Sequence, residues 1–190
     1  MVLADEVYWA ITYDRPHASI LEIDGLPERT VLLDGWSKTF AMTGWRLGFG
    51  VFPPALVEPV TRLVVNSVSC TSAHSQHAAI AALEGPWEPV DRMVAELRRR
   101  RDVIVDGLNA VPGLSCQRPG GAFYVFPSIA DLARPAGEVE ALLLERAGVA
   151  CLAGTSFGAG GEGYLRFSYA NSVANIRAAL AAVRAALADL

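Results

Sequence analysis

The order of hydrophobic and polar residues along the chain predicts strands that alternate with helices. Residues 30–33 form a short apolar run bounded by turn-forming residues, and residues 46–52 form a second one, so we predict a buried strand in each. Residues 14–28 contain two prolines and a glycine and are expected to be irregular or briefly helical. Residues 1–4 are too few for a complete strand, so we expect the chain to begin inside one.

Three helices are predicted in the middle of the chain, where apolar residues recur at helical spacing. The first follows Pro53-Pro54 and contains Pro59, which a helix tolerates only near its first turn. The second is capped by Ser72 or the threonine before it and ends at Gly85. The third is a long amphipathic helix over about residues 90–110.

The last third of the chain predicts a small α+β arrangement. Strands are expected at residues 122–126, 149–152 and 165–169, with a helix at residues 139–147. Ser172 is placed to cap a final helix with one apolar stripe.

Composition and charge narrow the class of protein. With 190 residues, 52% hydrophobic and 19% charged, the chain is long and apolar enough to bury a core and is expected to be a soluble globular protein. A net charge of −4 argues against a nucleic-acid binder, and the four arginines at 98–101 are better explained as a solvated helix face. Without an apolar stretch of membrane-spanning length or a signal peptide, no membrane is expected and the cytoplasm is the default location.

Several sequence features resemble metal or phosphate sites but lack residues that such sites need. The histidines at 74 and 77 lack the further ligands that a metal site needs, and the glycine-rich residues 154–163 lack the lysine of a phosphate-binding loop. The cysteines are odd in number and widely spaced, so they predict neither disulfides nor zinc and are expected to be small buried hydrophobes: Cys70, Cys116 and Cys151.

The chemistry is concentrated in residues 33–53, where Lys38 and Arg46 are the only cations in apolar or glycine-rich surroundings. A lysine in a poorly hydrated pocket is more readily uncharged and can attack a carbonyl to form a Schiff base. An arginine matches phosphate oxygens with its planar fork. Pyridoxal 5'-phosphate (PLP) carries both an aldehyde and a phosphate and would satisfy the pair. The alternative is that both side chains extend from an apolar strand to the surface.

Three segments resemble the class I/II aminotransferases, which are fold-type I PLP-dependent enzymes. Ser37-Lys38-Thr39-Phe40, followed by Met42-Thr43-Gly44-Trp45-Arg46-Leu47-Gly48, is similar to the family's cofactor-lysine segment. Asp5-Glu6-Val7-Tyr8 resembles the DEVY segment, and Tyr164-Leu165-Arg166-Phe167-Ser168 resembles the segment with the substrate arginine. The resemblance extends over nearly the whole chain but only about the second half of the family's usual length.

The resemblance implies a role for each residue around the cofactor ring. Lys38 would form the Schiff base and act as general base and acid, Asp5 would pair with the pyridine nitrogen, and Tyr8 would hydrogen-bond the phenolic oxygen. The local alternative for Asp5 is a solvated acid where a strand ends.

The remaining roles implied by the resemblance concern the phosphate and the substrate. Ser37 and Arg46 would bind the phosphate, although many relatives have a further serine where this chain has Gly35. Arg166 would bind the substrate's α-carboxylate with both arms of its fork. Alternation with its apolar neighbours equally allows Arg166 to face solvent.

The resemblance also implies the organisation of the chain. We expect an α/β fold that is the C-terminal part of a PLP-dependent transferase: residues 1–100 as a truncated part of the PLP-binding large domain and residues 101–190 as a small α+β domain. The implied function is transfer of an amino group between an amino acid and a 2-oxo acid, in a homodimer when full length, and we expect the 190-residue chain alone to be inactive or impaired. The alternatives are a carbon–sulfur β-lyase of the same fold and a non-catalytic fragment or pseudo-enzyme.

Overall fold

In the computed structural model, which describes residues 1–188, strands alternate with helices in the predicted order, so the α/β class is confirmed. The chain divides into two units, Met1–Arg92 and Met93–Leu190, here called unit 1 and unit 2. The division falls within one long helix, which also contains the domain boundary predicted near residue 100.

Unit 1 contains a three-stranded sheet in which the segments that follow two of the strands leave from the same side, where those strands end. Strand β1 (Val2–Asp5) runs parallel to β2 (Thr30–Gly35), and β3 (Gly48–Val51) runs antiparallel to β2 on its other side. Asp5 is paired with Leu33, so β1 and β2 end close together. The chain leaving each strand therefore enters the same region at the C-terminal edge of the sheet.

Three helices complete the part of unit 1 before the long helix. They are α1 (Trp36–Thr39), α2 (Pro54–Ser67) and α3 (Ala73–Glu84). Helix α2 continues through Pro59 for two more turns, although the missing N–H removes one backbone hydrogen bond. Ser72 is the N-cap residue of α3, as predicted, but its hydroxyl contacts the His74 ring and makes no capping hydrogen bond to a backbone N–H.

Helix α4 (Glu88–Asn109) is the long amphipathic helix that the sequence predicts. The run of four arginines on it is only in part a solvated face. Arg101 is 3% exposed, because its guanidinium donates to the Asp102 carboxylate and to the Pro119 carbonyl.

Unit 2 packs a small antiparallel sheet against helices. The sheet has the order β4 (Tyr124–Val125), β6 (Leu165–Ser168), β5 (Leu152–Ala153). Helix α5 (Ala136–Ala147) ends at Gly148, which takes a left-handed conformation (φ 63°), and α6 (Val173–Leu187) starts at Ser172, whose hydroxyl accepts the Asn175 N–H.

The hydrophobic core lies mainly in unit 2. Of the buried hydrophobic residues in the described chain, six belong to unit 1 and nineteen to unit 2. Unit 1 instead exposes large apolar side chains on its strands and on α2 and α3, among them Leu3, Phe49, Leu63, Val65 and Leu83. Unit 2 is therefore expected to be more stable on its own than unit 1.

The three cysteines are free thiols, and only one is buried. Burial raises the pKa of Cys116 to about 11 and that of Cys151, which is half-buried, to about 12. Cys70 is exposed, so the prediction that all three are buried is wrong for that residue. Within residues 1–188, no helix combines the length and hydrophobicity required to cross a membrane.

Candidate functional site

The C-terminal edge of the unit 1 sheet holds the first group of predicted site residues. Asp5 is the last residue of β1, and Tyr8 lies in the turn that follows. Strand β2 leads directly into the single turn of α1, which contains Ser37 and Lys38. Because β1 and β2 are parallel and in register, both sets of side chains come from the same edge.

Lys38 lies near Tyr8 at this edge. The Lys38 ammonium nitrogen is 5.7 Å from the centre of the Tyr8 ring, and both residues are half-buried. Lys38 is also the only lysine in the 190-residue sequence. The next residue, Thr39, is 1% exposed, and its hydroxyl has no hydrogen-bond partner among the described residues. A buried hydroxyl without a partner is costly, which marks this position as one where a further polar group would be favourable.

Three carboxylates approach the same edge, and two have shifted pKa values. Burial raises the pKa of Asp34, with the neighbouring charges of Glu6 and Asp5 adding to the effect, against hydrogen bonds from Gly35 and Trp9. Asp5 is exposed, and its carboxylate accepts the Val7 N–H at 3.2 Å. The charges of Glu6 and Asp5 are therefore close enough to Asp34 to affect its ionisation.

Glu6 has a different role, which the sequence did not reveal. Its side chain is 11% exposed and accepts hydrogen bonds from the Ile20 N–H and the Ser19 hydroxyl, and it pairs with the His17 ring at 2.8 Å. Burial opposes its ionisation, but these hydrogen bonds outweigh burial and lower the pKa of Glu6 below its ordinary value. The carboxylate thus attaches residues 17–20 to the end of β1, next to Asp5.

The two predicted phosphate ligands, Ser37 and Arg46, are not linked to each other by a hydrogen bond. The half-buried Ser37 hydroxyl makes no hydrogen bond within residues 1–188. Arg46 is exposed in a left-handed conformation (φ 55°), and its guanidinium donates to the Thr43 carbonyl at 2.7 Å. No hydrogen bond joins Arg46 to Ser37 in the described chain.

Gly35 occupies the position where the resemblance leads us to expect a serine, and the structure gives a reason for glycine. A Cβ atom at Gly35 would lie 2.8 Å from the Leu47 carbonyl oxygen and 3.2 Å from the Gly48 Cα. Both atoms belong to the backbone of β3 or the residue before it, so β2 and β3 could not keep their spacing with a side chain here.

Arg166 lies in unit 2, on the central strand β6. Its neighbours Leu165 and Phe167 point to the opposite face and are buried, whereas Arg166 is half-buried on the face away from the core. The guanidinium carbon lies 4.6 Å from the Tyr124 ring centre and 4.3 Å from the Phe157 ring centre. The structure thus places Arg166 on a solvent-accessible face.

The donor set in unit 1 fits pyridoxal 5'-phosphate. Lys38 provides an amine for an aldehyde, Asp5 a carboxylate for a pyridine nitrogen, and Ser37 a hydroxyl that has no partner within residues 1–188. Tyr8 provides an aromatic ring and hydroxyl beside the amine.

Comparison with protein families gives one match that covers nearly the whole chain. The family model described as "Aminotransferase class I and II" matches residues 1–183.

Individual relatives and a solved structure agree with this match. An aromatic-amino-acid aminotransferase of Thermococcus litoralis is 42% identical over 95% of this chain and 47% of its own, and an aspartate aminotransferase of Pyrococcus abyssi has the same identity and coverage. The crystal structure of an aromatic aminotransferase from Pyrococcus horikoshii superposes with a TM-score of 0.96 at 39% identity, over all of this chain and 51% of that one. The chain therefore spans about half the length of the relatives that it matches.

Proposed function

The chain belongs to the class I and II aminotransferases, and from that premise we propose that it contributes the cofactor lysine and the substrate arginine of a PLP-dependent aminotransferase. The reaction is the exchange of an amino group between an amino acid and a 2-oxo acid. The observation that carries the proposal is the approach of Lys38, the sole lysine, to Tyr8 at the edge where β1 and β2 end.

Lys38 is the proposed catalytic residue. When bound, PLP supplies an electron-withdrawing ring that makes the α-carbon proton of an amino acid acidic. Lys38 would hold the cofactor at rest and then take the proton from the α-carbon through its amine nitrogen.

Asp5, Tyr8, Ser37 and Arg46 are the proposed cofactor ligands. The carboxylate of Asp5 would keep a pyridine nitrogen protonated, and the Tyr8 hydroxyl would donate to an oxygen on the ring. Ser37 has an unused hydroxyl in the described chain, and the Arg46 guanidinium has N–H groups beyond the single bond to Thr43. These four residues orient the cofactor relative to Lys38.

Arg166 is the proposed ligand of the substrate α-carboxylate. No carboxylate or carbonyl of residues 1–188 accepts a hydrogen bond from its guanidinium, although the side chain is half-buried. Since a partly desolvated arginine is more stable with an anionic partner, a substrate carboxylate fits the missing acceptor.

We also propose that the protein acts as a homodimer in the cytoplasm. The exposed apolar side chains of α2, among them Leu63 and Val65, support an interface, because large apolar patches on a protein surface commonly mark association sites.

A single-turnover assay tests the proposed reaction. The chain is incubated with PLP and each of a panel of L-amino acids that includes aspartate and the aromatic ones, and pyridoxamine 5'-phosphate is quantified by chromatography. The chain should form more of this product than Lys38→Ala with at least one amino acid. Equal yields across the panel would contradict the proposal, and release of pyruvate and ammonia from a β-thio amino acid would favour the β-lyase.

A further inference from the structure

Arg166 shares one face of the unit 2 sheet with an aromatic residue of a neighbouring strand. Arg166 is paired with Leu152 on β5, and Ser168, two residues later, is paired with Tyr124 on β4. Residues directly opposite each other in an antiparallel sheet project to the same face, as do residues two apart on one strand. Tyr124 and Arg166 are therefore diagonal neighbours, within reach of each other's side chains.

A second aromatic residue approaches from outside the sheet. Phe157 ends the 3₁₀ turn Gly154–Phe157, and its ring centre is 4.3 Å from the guanidinium carbon of Arg166, compared with 4.6 Å for Tyr124. Both distances are within the range of favourable cation–π contact. The head group of Arg166 is thus held by two rings instead of by a carboxylate.

The turn that carries Phe157 is itself fixed by close backbone contact. A Cβ at Gly154 would lie 2.1 Å from the Gly161 carbonyl oxygen, so the two chain segments touch where only glycine fits. The Phe157 ring also packs edge-on against Phe126, with ring centres 6.2 Å apart. These contacts give the glycine-rich residues 154–163 a role that their composition alone did not predict.

Other arginines of unit 2 are held in a different way. Arg101 donates to Asp102 and to a carbonyl, and Arg118 donates to Asp102 and Asp106. Their N–H groups are used by the protein itself. Aromatic rings attract a guanidinium through its positive charge but do not accept its in-plane N–H groups, so Arg166 is positioned while its donors remain available.

We propose that Tyr124 and Phe157 are positioning residues that hold the Arg166 fork ready for a planar carboxylate. The inference rests on the proposed function of Arg166 as a carboxylate ligand. Without the rings, the long arginine side chain would sample many rotamers and lose that freedom on binding, so the affinity for a carboxylate would fall.

The test uses the full 190-residue chain and NMR of the arginine side-chain Nε–H groups, with pyruvate as the probe. The Arg166 signal is assigned by its loss in Arg166→Lys. Tyr124→Leu and Phe157→Leu remove one ring each, while Tyr124→Phe and Phe157→Tyr keep the ring. Tyr164→Leu is the matched control, because Tyr164 is an exposed aromatic residue of the same unit that stacks on Phe126 at 5.5 Å and makes no cation–π contact with Arg166 within residues 1–188. Backbone amide spectra confirm that each variant remains folded.

In the wild type the Arg166 signal should be shifted upfield by the rings and should move on addition of pyruvate. Each leucine variant should reduce the upfield shift and raise the dissociation constant for pyruvate by about 3- to 10-fold, from the usual strength of a cation–π contact. The ring-keeping variants and Tyr164→Leu should stay within about 2-fold of wild type.

Two contrary outcomes are distinct. If wild type binds pyruvate at Arg166 and the leucine variants bind it equally well, the positioning role is wrong and the carboxylate role stands. If pyruvate leaves the wild-type Arg166 signal unmoved, the carboxylate role is wrong, and the positioning role is wrong with it.

Discussion

Replacing Gly35 with serine should destabilise unit 1, although serine is the residue that the resemblance leads us to expect at this position. The serine Cβ would lie 2.8 Å from the Leu47 carbonyl oxygen and 3.2 Å from the Gly48 Cα. Neither atom belongs to a flexible side chain, so strand β3 must move away from β2. Overpacking of this kind costs about 1–3 kcal/mol.

The effect is measurable because all four tryptophans, at positions 9, 36, 45 and 87, lie in unit 1. Urea unfolding followed by tryptophan fluorescence therefore reports on this unit. With a typical slope of about 1–3 kcal/mol per molar urea, the midpoint of Gly35→Ser should fall by about 1 M. Gly44→Ser is the matched control, since a Cβ at Gly44 meets no atom within 4 Å, and its midpoint should stay near that of wild type.

The reasoning fails if Gly35→Ser unfolds at the wild-type midpoint. A loss of the same size in Gly44→Ser would also contradict it, because the cost would then come from serine in this segment and not from the contact between strands. The first outcome would mean that β2 and β3 can separate at Gly35 without cost, leaving room for a serine hydroxyl at the proposed phosphate site.

Three further predictions follow from the same structure. Arg166→Lys keeps the charge but loses the fork, so pyruvate binding should weaken by about 1.5–3 kcal/mol in a titration while PLP labelling of Lys38 is unchanged; equal binding would show that Arg166 is an ordinary surface residue. Limited proteolysis should leave a core that starts between about residues 90 and 115, because unit 2 has most of the buried apolar residues, and a protected Lys38 region would contradict this. Glu6 has a pKa below its ordinary 4.5, so its ionised form stabilises the fold above pH 4.5 and this contribution is lost as the pH falls through the lower, folded value. Glu6→Gln should therefore lower the urea midpoint at pH 7 but not in strong acid, and an equal loss at both pH values would refute the assignment.

The order of elements could be predicted from the sequence because apolar periodicity depends on nearby residues. The strand at 30–33, the long helix and the final helix capped by Ser172 are all found. The ends of the short strands could not be predicted, since they depend on pairing with distant residues. The strand expected at 122–126 is limited to Tyr124–Val125, where Ala122 already takes a left-handed conformation that ends the extended chain.

In the candidate site, too, some features could be predicted from the sequence and others could not. The clustering of Asp5, Tyr8 and Lys38 at one edge followed from placing them at the ends of two strands. The contacts of Glu6 with His17 and Ser19 span 11 and 13 residues, and that of Arg166 with Phe157 crosses a glycine-rich turn. No spacing rule or motif in the sequence predicts either group of contacts, because only the fold brings these residues together.

The most direct test of the central claim is reductive trapping of PLP with borohydride, followed by peptide mapping. The folded chain has only two kinds of amine, Lys38 and the N-terminus. An ordinary α-amine, with a pKa of about 7.7–8.0, is more reactive at neutral pH than an ordinary lysine at about 10.4. In urea the label should therefore favour the N-terminus, whereas in the folded chain it should shift to Lys38, and Lys38→Ala should retain only N-terminal label. Folded chain that is labelled mainly at the N-terminus, as in urea, would contradict the assignment of Lys38 as the cofactor lysine.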